Sequence, residues 1–160
     1  VNTASQFLLI RRSENKTGQA TVDTLDKLEE EIPQLNEIIE SLLLDNGVEF
    51  SKIEEMMRSA KEESKKRFQI YFTHPYASYE RGCNENKNRL IRRYFKKGKL
   101  VEELSEEDIL NIARKINNMP RKVLGYKTPL EVFESNLKKR GIDTNFLDVY
   151  RIELPKCLVA

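Results

Sequence analysis

Two carboxylates in this chain could do chemistry. Glu85 stands near the head of the stretch Tyr79 to Lys99, YERGCNENKNRLIRRYFKKGK. At about 100° per residue, Arg89, Arg92, Arg93 and Lys96 fall within about 80° of Glu85, Leu90, Ile91 and Tyr94 fall on the other side, and Phe95 falls on the flank away from Arg93. An acidic residue alone on a cationic helix face has two readings. It is an ordinary ion pair with Arg89 one turn on, or it is a metal ligand beside a groove that holds phosphates. Asp45 is the second carboxylate. It follows the apolar run Ile38 to Leu44 and precedes Asn46-Gly47, so it sits at the end of an expected strand where the chain turns sharply. Most such triplets are plain turns, because Asn and Gly reach φ > 0 cheaply. A strand-end Asp and a helix-borne Glu can also hold a hard cation such as Mg2+, which prefers carboxylate oxygen. A pair of such ions activates a nucleophile and stabilises a leaving oxygen in phosphodiester chemistry. Holding two ions normally takes a third carboxylate as a bridge.

The elements that must position these groups alternate between strand and helix. Phe7 to Ile10 is apolar throughout and reads as a buried strand. Ala20 to Glu31 carries Val22, Leu25 and Leu28 at helical spacing, and Pro33 lies at its end. Ile38 to Leu44 reads as a second strand. Phe50 to Lys66 reads as a helix with Ile53, Met56 and Met57 inward. Phe68 to Phe72 alternates as a third strand, closed by Pro75. Ser105 with Asp108 forms a variant capping box for a helix to about Asn118. Thr128 caps another helix, with Pro129 in its first turn, that runs to Lys139 and ends at Gly141. The pattern predicts an α/β fold. Gln6 to Ile10 opens the chain as if already inside a strand, which suggests the later part of a longer protein.

Net charge over the 160 residues is only +2, but its distribution is uneven. Residues 23–63 carry four basic and thirteen acidic side chains, and residues 64–99 carry eleven basic and two acidic. A basic block of this kind fits a polyanion, and it equally fits a solvated face paired with the acidic segment. The two cysteines, Cys83 and Cys157, and the single His74 have no zinc-ligand spacing. Without a disulfide framework, a reducing cytoplasm is the expected compartment. No apolar stretch approaches the length of a membrane span, so a membrane partner is not expected.

Three blocks carry a more specific signal: LDNGVEF at Leu44–Phe50, YFTHPYASYERGCNENKNRLIRRYFKKG at Tyr71–Gly98, and INNMPRKVLGYKTPLEVF at Ile116–Phe133. In this order they resemble the catalytic domain of the IS-thirty family of bacterial insertion-sequence transposases. With weaker matches, the likeness runs from about residue 5 to residue 135. The resemblance implies an RNase H-like mixed sheet flanked by helices, missing its first strands, with residues 1–100 as the partial catalytic core and 101–160 as a helical extension packed on it. It implies a DDE-type site acting with Mg2+ or Mn2+ as a two-metal centre, and DNA strand cleavage and transfer at transposon ends and target. Asp45 matches the family's second catalytic Asp, and Glu85, within Asn84-Glu85-Asn86, its catalytic Glu. Glu80 also lies at a plausible distance from Asp45, but the motif selects Glu85.

On the same resemblance, Arg81, Asn84, Asn86, Arg89, Arg92, Arg93, Lys96, Lys97, Lys99, Arg121 and Lys122 are candidate DNA contacts. The gap of 39 residues between Asp45 and Glu85 is longer than usual for the family, and Lys61 to Lys66 is the expected insertion. Arg89, Lys96 and Met119 replace the family's usual Gly, Pro and Arg. The first catalytic Asp and the helix-turn-helix that reads transposon ends are expected before the residue matching Val1. The chain by itself is therefore expected to cleave DNA little or not at all. A homo-oligomer in the active complex and a bacterial, nucleoid-associated location follow from the same likeness. Two other functions stay open: a non-catalytic DNA-binding remnant or regulatory derivative, and a helical module whose charges pair between subunits.

Overall fold

The chain separates into two compact units, one of residues 1–10, 83–140 and 144–160, the other of residues 11–82 and 141–143. The computed structural model describes residues 1–32, 34–62, 64–73, 82–94 and 103–152. In chain order, the helices are α1 (Gly18–Glu31), α2 (Leu35–Ile38), α3 (Ile53–Met57), α4 (Gly82–Tyr94), α5 (Glu106–Asn117) and α6 (Pro129–Lys139). The strands are β1 (Ser41–Leu44) and β2 (Gln69–Phe72), and short 3-10 turns cover Val48–Phe50, Lys122–Leu124 and Asn145–Tyr150.

In the unit of residues 11–82, α1 starts at Thr17, whose hydroxyl accepts from the Ala20 amide at 3.3 Å, an ordinary N-cap. Among the described residues, Ala20, Val22, Leu28, Ile32, Leu35, Ile38, Met56, Phe68 and Ile142 are its buried apolar residues. Gly18 opens α1 against the 48–52 segment, and a Cβ there would meet Ser51 Oγ at 2.7 Å and Lys52 Cγ at 3.1 Å, so a larger residue would have to displace these side chains. β1 and β2 pair in parallel, Ser41 with Gln69 through Leu44 with Phe72. Leu42, Leu44, Ile70 and Phe72 are half-buried, while Leu43 and Tyr71 are exposed on the alternate positions. The expected mixed sheet is thus, among the described residues, a two-stranded parallel one.

Two further expectations change in this unit. The apolar run Ile38 to Leu44 gives a strand only from Ser41, because the Ile39 amide donates to the Leu35 carbonyl and holds the preceding turn helical. The expected helix Phe50 to Lys66 stops at Met57. Beyond it, Arg58 and Lys66 form an antiparallel bridge, and Glu29 on α1 accepts from the Ser59 hydroxyl and the Ala60 amide. These contacts satisfy backbone and side-chain groups that a helix would have directed elsewhere. Arg67 closes the arrangement. Its side chain is fully buried, ion-paired to Asp26, 3.4 Å from Glu29 Oε2, and donates to the Arg58 carbonyl at 2.6 Å.

In the other unit, α5 and α6 carry the two expected capping boxes, Ser105 with Asp108 and Thr128 with Glu131, and Pro129 sits in the first turn of α6. Gly141 takes φ +72° just beyond α6, the left-handed position that favours glycine. Phe7 to Ile10 is buried at Phe7 and Leu8 but joins no sheet. The reason lies in Asn117 at the end of α5. Its amide accepts from the Leu8 N–H and donates to the Leu8 carbonyl, both at 2.8 Å. One side chain thus satisfies the groups that a neighbouring strand would have paired. Phe7 stacks on Phe133 at 4.5 Å and meets Tyr150 edge-on at 5.2 Å.

Candidate functional site

Asp45 follows the last residue of β1 directly, and the chain turns at Asn46-Gly47 into the Val48–Phe50 turn. Its carboxylate is half-buried, with Oδ1 shielded from solvent. The strand holds this position: the Thr73 amide donates to the Leu44 carbonyl at 2.9 Å, one residue before Asp45. Glu85 lies in the first turn of α4, where a negative charge is favoured by the helix dipole. Its side chain is exposed. Asp45 belongs to one compact unit and Glu85 to the other.

The ion pair with Arg89, the plainer explanation of Glu85, does not form. Arg89 Nη2 donates to Asn86 Oδ1 at 3.1 Å, and Glu85 makes no ion pair among the described residues. Arg92 and Arg93 are exposed and likewise have no ion-pair partner among the described residues. The opposite side of α4 is anchored as its amphipathic pattern predicts. Leu90, Ile91 and Tyr94 pack against the cluster of Leu8, Ile112 and Ile116. Lys115 Nζ lies 5.7 Å from the centre of the Tyr94 ring, a cation–π distance. Lys87 is buried and belongs to the inward side. Its position, about 200° from Glu85 at about 100° per residue, already carried that signal.

Of the other candidates, Asn86 is exposed and Asn84 lies within α4. Arg81, Lys96, Lys97 and Lys99 lie outside the described residues, as do Glu80, His74 and Phe95. Lys122 is exposed. Arg121 is half-buried and turns inward, with Nη2 3.4 Å from the Ile116 carbonyl near the end of α5, where cations are favoured. Among the described residues, no three His, Cys, Asp or Glu side chains cluster closely enough to hold a metal. As donors, the two carboxylates fit a hard divalent cation in kind, since both offer only oxygen and Asp45 Oδ1 is withdrawn from water. No helix among the described residues is long and apolar enough to cross a membrane.

No protein-family model matches the chain, and no solved structure matches it. Curated proteins do. The chain is 41% identical over 109 residues to the transposase for insertion sequence element IS4351 of Bacteroides fragilis, covering 68% of this chain and 32% of that protein. It is 31% identical over 134 residues to transposase InsI for element IS30A of Escherichia coli K12, covering 84% of this chain and 33% of that one. A probable transposase for the insertion-like element IS1161 of Streptococcus salivarius is 36% identical over 96 residues, 60% of this chain. The chain spans about a third of the length of the first two relatives. With 41% identity sustained over two thirds of its length, this chain belongs to the IS30-type family of insertion-sequence transposases.

Proposed function

We propose that this chain contributes the catalytic-domain portion of a DDE transposase that cuts and joins DNA with a divalent metal, on an RNase H-like core. What supports the reading is the placement of both motif carboxylates on ordered elements of a family member: Asp45 directly after β1, and Glu85 in the first turn of α4, free of the Arg89 ion pair. In this reading Asp45 and Glu85 hold Mg2+ or Mn2+. A divalent metal held by these two carboxylates would supply activation of the attacking oxygen and stabilisation of the leaving oxygen of a phosphodiester. The chain's own groups do the rest. Asp45 is fixed in depth by the β1–β2 ladder. Glu85 is exposed to an incoming ligand and forms no ion pair with Arg89, so Arg92 and Arg93, and Arg89 through the donors it does not give to Asn86, can take phosphates. Such contacts position a duplex without reading its sequence, so recognition of transposon ends belongs to another part of the protein. The substrates are the insertion-sequence ends and target DNA, and the acting form is a homo-oligomer.

Two measurements test this. Mn2+ titration of the 160-residue chain should show binding that weakens at least about tenfold in both Asp45→Asn and Glu85→Gln, about 1.4 kcal/mol for each lost ligand. In a full-length transposase bearing this sequence, Glu85→Gln should abolish strand cleavage, and Glu80→Gln should do far less. Unchanged Mn2+ binding in both single variants, or cleavage lost with Glu80→Gln and kept with Glu85→Gln, would remove the site assignment.

A further inference from the structure

The stretch Ile109 to Leu130 holds five basic and no acidic side chains, and at its end the chain makes a closed, projecting loop. The Arg121 amide donates to the Lys127 carbonyl at 3.0 Å, and the Leu124 and Tyr126 amides donate back to the Arg121 carbonyl at 3.0 and 2.9 Å. The inward guanidinium of Arg121 ties the loop to α5. The tip consists of Gly125 and Tyr126, both in the left-handed region with φ +63°. Glycine takes that conformation freely. For a tyrosine it is uncommon and sterically costly. The cost is not offset by burial, since Tyr126 is 71% exposed. Lys122 and Lys127 flank it and are exposed; neither makes an ion pair within 4.0 Å among the described residues, and Lys127 lies near enough to Glu131 to help hold its carboxyl down.

From this geometry we infer that the Arg121–Lys127 loop is a contact for an unpaired base in DNA, with Tyr126 as the stacking platform and Lys122 and Lys127 holding the adjoining phosphates. The inference rests on the DNA-processing reading above and adds a residue to it. The choice of an unpaired base is physical. Inside a duplex each base has both faces covered by its neighbours. A loop closed by hydrogen bonds that presents an exposed aromatic ring, with lysines on either side of it in sequence, finds a complementary face only where a base has left the stack, at a gap, a frayed end or a distorted junction. Base–aromatic stacking is indifferent to base identity, so the loop would mark strand distortion and not sequence.

The test compares two DNA duplexes of one sequence, one fully paired and one with a single unpaired 2-aminopurine. The wild-type chain should prefer the unpaired site and change its fluorescence. Tyr126→Ala and Tyr126→Gly should both lose about tenfold in affinity for that site, the scale of one stacked base, and with it the preference. Tyr126→Phe should keep both. Tyr126→Gly is the decisive variant, because glycine relieves the left-handed backbone. Its melting temperature should be equal to or above that of the wild type while the preference disappears, which separates lost stacking from lost folding. Lys122→Ala with Lys127→Ala should weaken binding to both duplexes alike. If the wild type binds both duplexes with the same salt dependence and Tyr126→Gly binds as it does, the stacking role is wrong and the transposase reading is untouched. If the wild type binds neither duplex, both fall.

Discussion

Among its described residues, the basic block of residues 64–99 contains two contrasting kinds of arginine. Arg67 is fully buried, paired with Asp26 and Glu29 on α1, and bonded to the Arg58 carbonyl. Arg92 and Arg93 stand exposed on α4 with no ion-pair partner among the described residues. In the sequence they count equally toward the excess of nine positive charges over that block. In the structure Arg67 is neutralised within the fold, whereas Arg92 and Arg93 on α4 remain exposed. A charge count therefore overstates a binding surface by whatever part of it is paired internally. Of the two explanations that composition leaves open, the internally paired one holds for Arg67, and the phosphate track is what we propose for the exposed arginines of α4.

The comparison is broken first at Arg67. Removing one partner of a buried ion pair leaves the others as uncompensated charge, at about 3–5 kcal/mol. Arg67→Met should destabilise the chain by that amount in a urea titration, with the salt dependence of DNA binding unchanged. A loss below about 1 kcal/mol, the usual ceiling for exposed pairs, would move Arg67 into the same class as the α4 arginines.

Between those extremes lie charges that are exposed yet locally paired. Glu131 accepts from the Thr128 backbone and hydroxyl in the capping box of α6, at 2.7 and 3.0 Å. Those hydrogen bonds, the backbone one foremost, hold its carboxyl below the usual range. Thr128→Ala should cost about 0.5–2 kcal/mol, the range for a lost N-cap. The sign with pH follows from the lowered value. A carboxyl depressed in the folded state contributes stability that is full above its unfolded pKa and is lost as pH falls through the folded value. Thr128→Ala removes only the hydroxyl's bond to the carboxylate and keeps the backbone one, so its difference from wild type should narrow in acid without vanishing, the untitratable N-cap bond from the Glu131 amide to the Thr128 hydroxyl being lost at every pH. A difference that grew on acidification would contradict the hydrogen-bond origin of the shift.

Such local devices are also what the sequence reveals best. Ser105 with Asp108, and Thr128 with Pro129 and Glu131, act within one turn, and both helices begin where the pattern places them. Asp45 at a strand end and Glu85 in a first helical turn are legible for the same reason: an Asn-Gly turn and an amphipathic face are short-range facts. Failures begin where the deciding partner is remote. Phe7 to Ile10 has strand composition, but Asn117, 109 residues from Leu8, takes its hydrogen bonds. The segment after Met57 has helical composition, but Glu29 and Arg67 draw it into a bridge. Tyr126 escapes notice because nothing in its residue type reveals a left-handed φ; only the loop's closure on Arg121 imposes it.

The smallest effect on stability should come from Arg92, and this makes it the sharpest control. It is exposed and unpaired among the described residues, so Arg92→Ala should change the unfolding free energy by no more than about 0.5 kcal/mol. Its effect should appear in DNA binding. Each phosphate neutralised contributes roughly −0.9 to the slope of log affinity against log salt. Arg92→Ala should make that slope shallower by about one unit and weaken binding to unrelated duplexes alike, because a phosphate contact carries no sequence information. Leu90→Ala, one face away on the same helix and packed against the Leu8, Ile112 and Ile116 cluster, should do the reverse. Its loss of packing should cost a few kcal/mol, about 2–5 for a fully buried leucine and less for this half-buried one, with the slope unchanged. Salt titrations on two unrelated duplexes, paired with urea unfolding of the same proteins, place each variant on both axes. If Arg92→Ala kept the wild-type slope, the exposed arginines of α4 would be solvated charges only, and the contrast with Arg67 would reduce to a difference in burial.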